Sequence, residues 1–141
     1  MKKLFLLSAL LIFACSYGQD EETVPVYPGC KIKASNSEKR KCMSSAISEF
    51  VVRKFDTDIA NDLGLSGRQR ISVIFKIDKK GYVKDIRIRA PHPRLEKEAF
   101  RVINMLPRMI PGTVNGQPVI VPYSLPITFQ VAPSTTAKPL R

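Results

Sequence analysis

Three cysteines and a single histidine are the residues of this chain best suited to covalent or metal chemistry, and their spacing limits what they can do. His92 sits between Pro91 and Pro93 with no second histidine anywhere in the 141 residues. Nucleophilic catalysis needs a nucleophile, a base and a group that orients the base. No such set is in view, so His92 reads as a turn residue and the chain is not expected to be an enzyme. Gly64, Gly67 and Gly81 do not follow a strand at the spacing of a phosphate-cradling loop. Cys30 and Cys42 would give a zinc site two of its four ligands, with one histidine left to help. Neither a metal nor a cofactor is expected. In an oxidising compartment the same two cysteines read as a disulfide, contributing roughly 2–3 kcal/mol in the chain-entropy picture. Arg87 and Arg89 fall on one face of an expected strand. Because guanidinium groups suit carboxylates, they are candidate contacts to an acidic partner; a solvated strand face is the alternative.

The oxidising compartment is suggested by the start of the chain. Met1-Lys2-Lys3 is followed by an apolar run from Leu4 to Ala14, 11 residues long, where about 20 are needed to span a bilayer. Residues 1–18 therefore read as an export signal. Two processing routes stay open. Ser16 and Gly18 are small residues suited to cleavage before Gln19, whereas Ala14-Cys15-Ser16 resembles a lipoprotein box with Cys15 acylated. Removing Lys2 and Lys3 with the signal lowers the net charge from +11 to +9. That balance could suit nucleic acid, but export removes such a partner. A solvated basic face that keeps the protein soluble or near an anionic membrane surface, its residues scattered along the chain, is the reading preferred here.

The elements that position these residues follow from periodicity. Residues 19–34, with Pro25, Pro28 and Gly29, read as an extended arm tied down by Cys30. Ser35-Asn36-Ser37-Glu38 offers cap residues and an acid for a first helix, whose stripe is Met43, Ile47, Phe50 and Val51. Asp56 to Gly67 reads as a short helical turn before a loop. Ile71, Val73, Phe75 and Ile77 alternate with mostly polar residues, and Asp78-Lys79-Lys80-Gly81 turns the chain into a return strand from Tyr82 to Ala90. Its apolar residues change parity between Val83 and Ile86, which predicts a β-bulge near Lys84-Asp85. Pro93 opens a second helix with Leu95, Ala99, Val102, Ile103 and Leu106 on one face, stopped by Pro107. A long loop, Pro107 to Pro118, then leads to the last strand, and residues 132–141 form a Pro/Ser/Thr-rich tail expected to be disordered.

That last strand, Val119 to Val131, carries the functional expectation. Its odd positions are apolar, and Pro122 and Pro126 both fall on even positions. Proline has no N–H, so it is tolerated only where that side of the strand is unpaired. The strand should lie at an edge, with Ile120, Ser124, Thr128 and Gln130 turned towards a partner. Chain direction gives a three-stranded antiparallel sheet, in the order second, first, last, covered on one face by two helices. The expected class is an α+β two-layer sandwich spanning residues 35–131.

On these residues the chain resembles the TonB C-terminal domain family, in the short exported form of Bacteroidetes-type bacteria. The matching features are F-x-I-x-x-x-G-x-V-x-x-I-x-I from Phe75 to Ile88, L-E-x-E-A-x-R-V-I from Leu95 to Ile103, L-P-x-M-x-P-G from Leu106 to Gly112, and G-x-P-V-x-V-P-Y-x-L-P-I-T-F from Gly116 to Phe129. The resemblance implies a periplasmic module that adds an extended segment of an outer-membrane TonB-dependent transporter, or of another envelope protein, to the open edge of its sheet. A small-molecule substrate is not implied. The chain departs from the family in lacking a membrane anchor and a long Pro-rich spacer, so motor-driven force transmission is not expected of it alone. Its two strand prolines would cost an incoming strand about 2 kcal/mol, at about 1 kcal/mol per lost hydrogen bond. The alternative is an envelope protein of structural or regulatory role that pairs with itself through the same edge as a homodimer.

Overall fold

A computed structural model describes residues 19–133 of the chain. The expected signal peptide with Cys15, and the tail from residue 134 onward, lie outside the described residues. Helix α1 (Asn36–Lys54) begins where the sequence places cap residues. Ser35 Oγ accepts the Glu38 N–H at 3.3 Å while the Glu38 carboxylate accepts the Ser35 N–H at 2.9 Å. This reciprocal box satisfies two of the donors that every helix start leaves open. It also holds the Glu38 carboxyl below its ordinary value. A short α2 (Asp58–Asp62) follows, then the antiparallel pair β2 (Gly67–Ile77) and β3 (Val83–Arg89), then α3 (Pro93–Asn104). His92, expected as a turn residue, caps α3: its Nδ1 accepts the Arg94 N–H at 3.1 Å.

The last long strand, β6 (Val121–Val131), pairs with β2 in unbroken register from Gly67↔Val131 to Ile77↔Val121. The sheet order is β3-β2-β6, all antiparallel, with β6 at one rim. The parity change in β3 is a bulge. Between Ile74↔Arg87 and Lys76↔Lys84 the register shifts, and Asp85 takes a φ of +52°. Helices α1 and α3 lie on the odd face of the sheet. Ile71, Val73, Phe75 and Ile77 of β2 interlock there with Met43, Ile47 and Val51 of α1 and Leu95, Ala99, Val102 and Ile103 of α3, all buried. A brace joins the helices. Glu98 of α3, nearly buried, accepts from the Asp56 N–H at 3.0 Å and from Arg101 Nε at 2.8 Å, and Arg101 in turn donates to the Lys54 carbonyl at 2.9 Å. Its hydrogen bonds with Arg101 hold the Glu98 carboxyl below its ordinary value against the opposing pull of burial.

Three features differ from the sequence-based expectation. The chain forms a second small sheet, β1 (Glu22–Thr23), β4 (Thr113–Val114) and β5 (Gln117–Pro118), in the order β1-β4-β5, whereas α2 is the short helical turn the sequence leads one to expect. The expected long loop is therefore a hairpin. Asn115 and Gly116 both take positive φ, +50° and +78°, as a two-residue hairpin loop demands. Next, the extended arm is packed against the domain along its length and not only tied to it at Cys30. Val24, Val26 and Tyr27 are buried, and Val26 exchanges backbone hydrogen bonds with Ile110 at 3.0 and 2.9 Å. Cys30 and Cys42 form the expected disulfide, joining this arm to α1. Finally, β6 starts at Val121 and not at Val119, because the Val119 N–H is taken by the Gly112 carbonyl at 2.9 Å.

Candidate functional site

β6 is shaped by two opposed demands. Its inward residues Leu125, Ile127 and Val131 are buried against the helices, and Tyr123 and Phe129 pack at their margin. The Tyr123 ring lies 5.3 Å from that of Phe75, and its hydroxyl is 2.7 Å from Ser44 Oγ on α1. Phe129 meets Phe55 at 5.4 Å. These contacts fix the strand by its odd side chains. The even residues Pro122, Ser124, Pro126, Thr128 and Gln130 are all exposed.

Backbone polarity follows from the prolines. A ladder that runs through Pro122↔Lys76 and Pro126↔Ser72 without a break requires the even residues to direct their backbone groups away from β2. Five carbonyls, of residues 122, 124, 126, 128 and 130, then face outward with three N–H groups, of Ser124, Thr128 and Gln130. Among the described residues no strand pairs with that flank. It accepts more hydrogen bonds than it donates, and its only adjacent donor positions, Thr128 and Gln130, lie at its C-terminal end.

The other expected site residues fall as follows. Ile120 precedes the strand; it is exposed near Tyr82 and Lys84 and belongs to no ladder. Arg87 and Arg89 stand on the open face of β3, opposite Ile74 and Ser72, which themselves stand opposite Ser124 and Pro126. The arginine pair thus shares a face with the even side chains of β6 but lies across the sheet from its free flank. Scatter of the basic residues is not what the structure shows on this face. Arg68, Arg70 and Lys76 of β2 join Lys84, Arg87 and Arg89 there, all exposed. Alternation carried back from Ile71 to Gly67 is the signal that would have found the first two.

The strand is held at its entry by the segment Leu106–Gly112. Met109 is buried and its N–H bonds the Gly81 carbonyl at 2.9 Å. Gly81 has a φ of +89°, and a Cβ there would stand 1.7 Å from the Met109 carbonyl oxygen. Only glycine fits the turn on both counts. Arg108 adds a second clasp, its Nε donating to the Lys80 carbonyl at 2.8 Å and its guanidinium lying 5.3 Å from the Tyr82 ring centre.

Among known families, the one described as Gram-negative bacterial TonB protein C-terminal matches residues 58–131, more than half of the chain. The matched stretch runs from α2 to the end of β6 and leaves the arm, the disulfide and α1 outside it. No curated protein matches the sequence.

Proposed function

This chain belongs to the TonB C-terminal domain family, and from that premise we propose that it is an envelope protein-interaction module that takes an extended segment of its partner as an added strand along β6. The partner in this reading is an outer-membrane TonB-dependent transporter or another envelope protein. The family is a periplasmic, non-catalytic interaction domain, and no helix among the described residues is long and apolar enough to cross a membrane. The observation that carries the proposal is the flank of β6: an eleven-residue rim in continuous register on one side and without a neighbouring strand on the other among the described residues. Strand addition draws its affinity from main-chain hydrogen bonds and its choice of partner from alternate side-chain positions. Here Ser124, Thr128 and Gln130 supply the donors, so the incoming segment is favoured where it contributes N–H groups opposite Pro122 and Pro126.

Export by a signal in residues 1–18, with cleavage before Gln19 or acylation of Cys15 as its two alternative outcomes, belongs to the same proposal, as does a domain of residues 35–131 after the arm 19–34. Photo-crosslinking from a Ser124→Cys variant labelled with a benzophenone, in living cells, tests the docking site. The expected product joins the strand to an extended segment of an outer-membrane protein. Crosslinks only between copies of the chain would replace this reading with self-pairing, which sedimentation at several concentrations would show as a dimer. No crosslink from Ser124, with efficient crosslinking from a site on the helices, would contradict both.

A further inference from the structure

The face of the sheet turned away from the helices has no covering element among the described residues and carries a charge pattern that the edge-docking reading does not use. Alternate positions of β2 and β3 place Arg68, Arg70, Lys76, Lys84, Arg87 and Arg89 on it, all exposed. The carboxylates near them are already engaged. Asp85 is held by Lys76 at 2.8 Å, which keeps it below its ordinary value, Asp78 at the hairpin tip accepts the Lys80 and Tyr82 N–H groups at 2.8 and 2.9 Å, and Glu96 at the margin accepts the Ala90 N–H at 3.2 Å. The even residues of β6 add no charge of either sign. Lys76 and Lys84 are direct cross-strand partners, an arrangement that like charges disfavour. A face built only for solubility would intersperse both signs.

We propose that this open face docks on an anionic phospholipid bilayer. A bilayer fits better than an acidic polypeptide for two reasons. The cations are spread over two strands, about 4.8 Å apart across and about 7 Å along, a wider area than one extended chain covers, although a hollow beside Arg87 and Arg89 is lined by Ser72, Ile74 and Glu96. The exposed apolar side chains on this side are few and sit among the cations: Ile74 at the centre, and Tyr82 and Ile120 beside Lys79, Lys80 and Lys84 at the hairpin tip. Aromatic and aliphatic groups between lysines and arginines are the mix that settles at a headgroup layer. Docked by this face, the protein keeps the flank of β6 at the side of the sheet, parallel to the membrane and open to a partner strand. The inference does not rest on that flank, and each can fail without the other.

Co-sedimentation of the full chain with vesicles tests it. Vesicles of phosphatidylglycerol and phosphatidylcholine in a one-to-three ratio should bind at least about tenfold more tightly than pure phosphatidylcholine at low salt, and lose that preference as salt rises through the screening range. An Arg87→Glu/Arg89→Glu variant should lose the preference, whereas Lys41→Glu/Lys97→Glu, an equal charge change on the helices, should keep most of it. Should the glutamate pair disturb folding by circular dichroism, Arg87→Gln/Arg89→Gln serves instead. Equal binding to both vesicles overturns the proposal, and so does equal loss in the two charge variants, which would make net charge the only cause. Binding of poly-glutamate that depends on Arg87 and Arg89, without any vesicle preference, would assign the face to an acidic polypeptide and overturn it as well.

Discussion

The two rims of the main sheet meet the same hazard in different ways. Any outer strand shows unpaired N–H and C=O groups that invite another chain. β3 answers with brevity and distortion: seven residues, a bulge at Asp85 with φ at +52°, and charges at Lys84, Asp85, Arg87 and Arg89. β6 is eleven residues long, in unbroken register, with no charged residue, and is blunted only by Pro122 and Pro126. A bulge twists a strand out of plane and closes the rim to any partner. Prolines delete donors singly and leave the strand straight and its carbonyls in place. The contrast indicates that one rim is closed and the other is narrowed to a subset of incoming strands.

The largest effect should come from the place where both rims are anchored. Gly81→Ala sets a Cβ against the Met109 carbonyl at a positive φ, so it must displace the segment that delivers β6. A loss of about 3 kcal/mol or more is expected in urea unfolding. A loss below about 1 kcal/mol would show that the hairpin turn does not hold the entry to β6. Next in size is the link outside the family-matched stretch. Cys30→Ser/Cys42→Ser should cost about 2–3 kcal/mol and should loosen the arm and α1 while leaving the β6 flank able to bind, measured as peptide affinity in mild conditions. Loss of binding with the fold intact would mean that the arm shapes the rim.

Glu98 offers a pH test on the covered face of the sheet. Its folded value lies below its ordinary one of 4.5, so its contribution is complete above about pH 4.5 and is lost as the pH falls through the lowered value. Glu98→Gln should cost about 2 kcal/mol near neutrality and flatten the acid limb of the stability profile. An unchanged acid limb would remove Glu98 from that account. The smallest effect separates the rims most sharply. Thr128→Pro deletes one outward donor of β6 and should weaken binding of an extended peptide about fivefold, at about 1 kcal/mol per hydrogen bond, with stability nearly unchanged. Pro126→Thr should restore a donor and strengthen binding by a similar factor. If a substitution at Lys84 on β3 shifted affinity as much, the two rims would not differ as described.

Much of this was legible in the sequence, and for identifiable reasons. Ser35 through Glu38 caps a helix because reciprocal hydrogen bonds between residues three apart decide it locally, and the parity change between Val83 and Ile86 can mean little except a bulge. The edge position of β6 was readable because proline chemistry is independent of tertiary context. The second sheet was not, since β4 and β5 have two residues each and no alternation to read; Asn115-Gly116 was the available signal. Their partner β1 lies 90 residues earlier, across Thr23 and Thr113, and nothing local marks such a pairing. The basic face stayed hidden for a similar reason. Arg68 and Arg87 are scattered along the chain and become neighbours only when β2 and β3 pair. The Glu98–Arg101 brace shows in sequence as an ordinary three-residue charge spacing, while its ties to Lys54 and Asp56 depend on how α1 meets α3.

Amide hydrogen exchange, resolved by residue along β6, tests the central claim most directly. In the isolated protein at low concentration Ser124, Thr128 and Gln130 should exchange quickly, while Tyr123, Leu125, Ile127 and Phe129 stay protected by β2. With a saturating extended peptide from an outer-membrane transporter, the three even amides should become protected as well. Protection of Ser124, Thr128 and Gln130 in the isolated monomer, or their continued rapid exchange with peptide bound, would contradict the account.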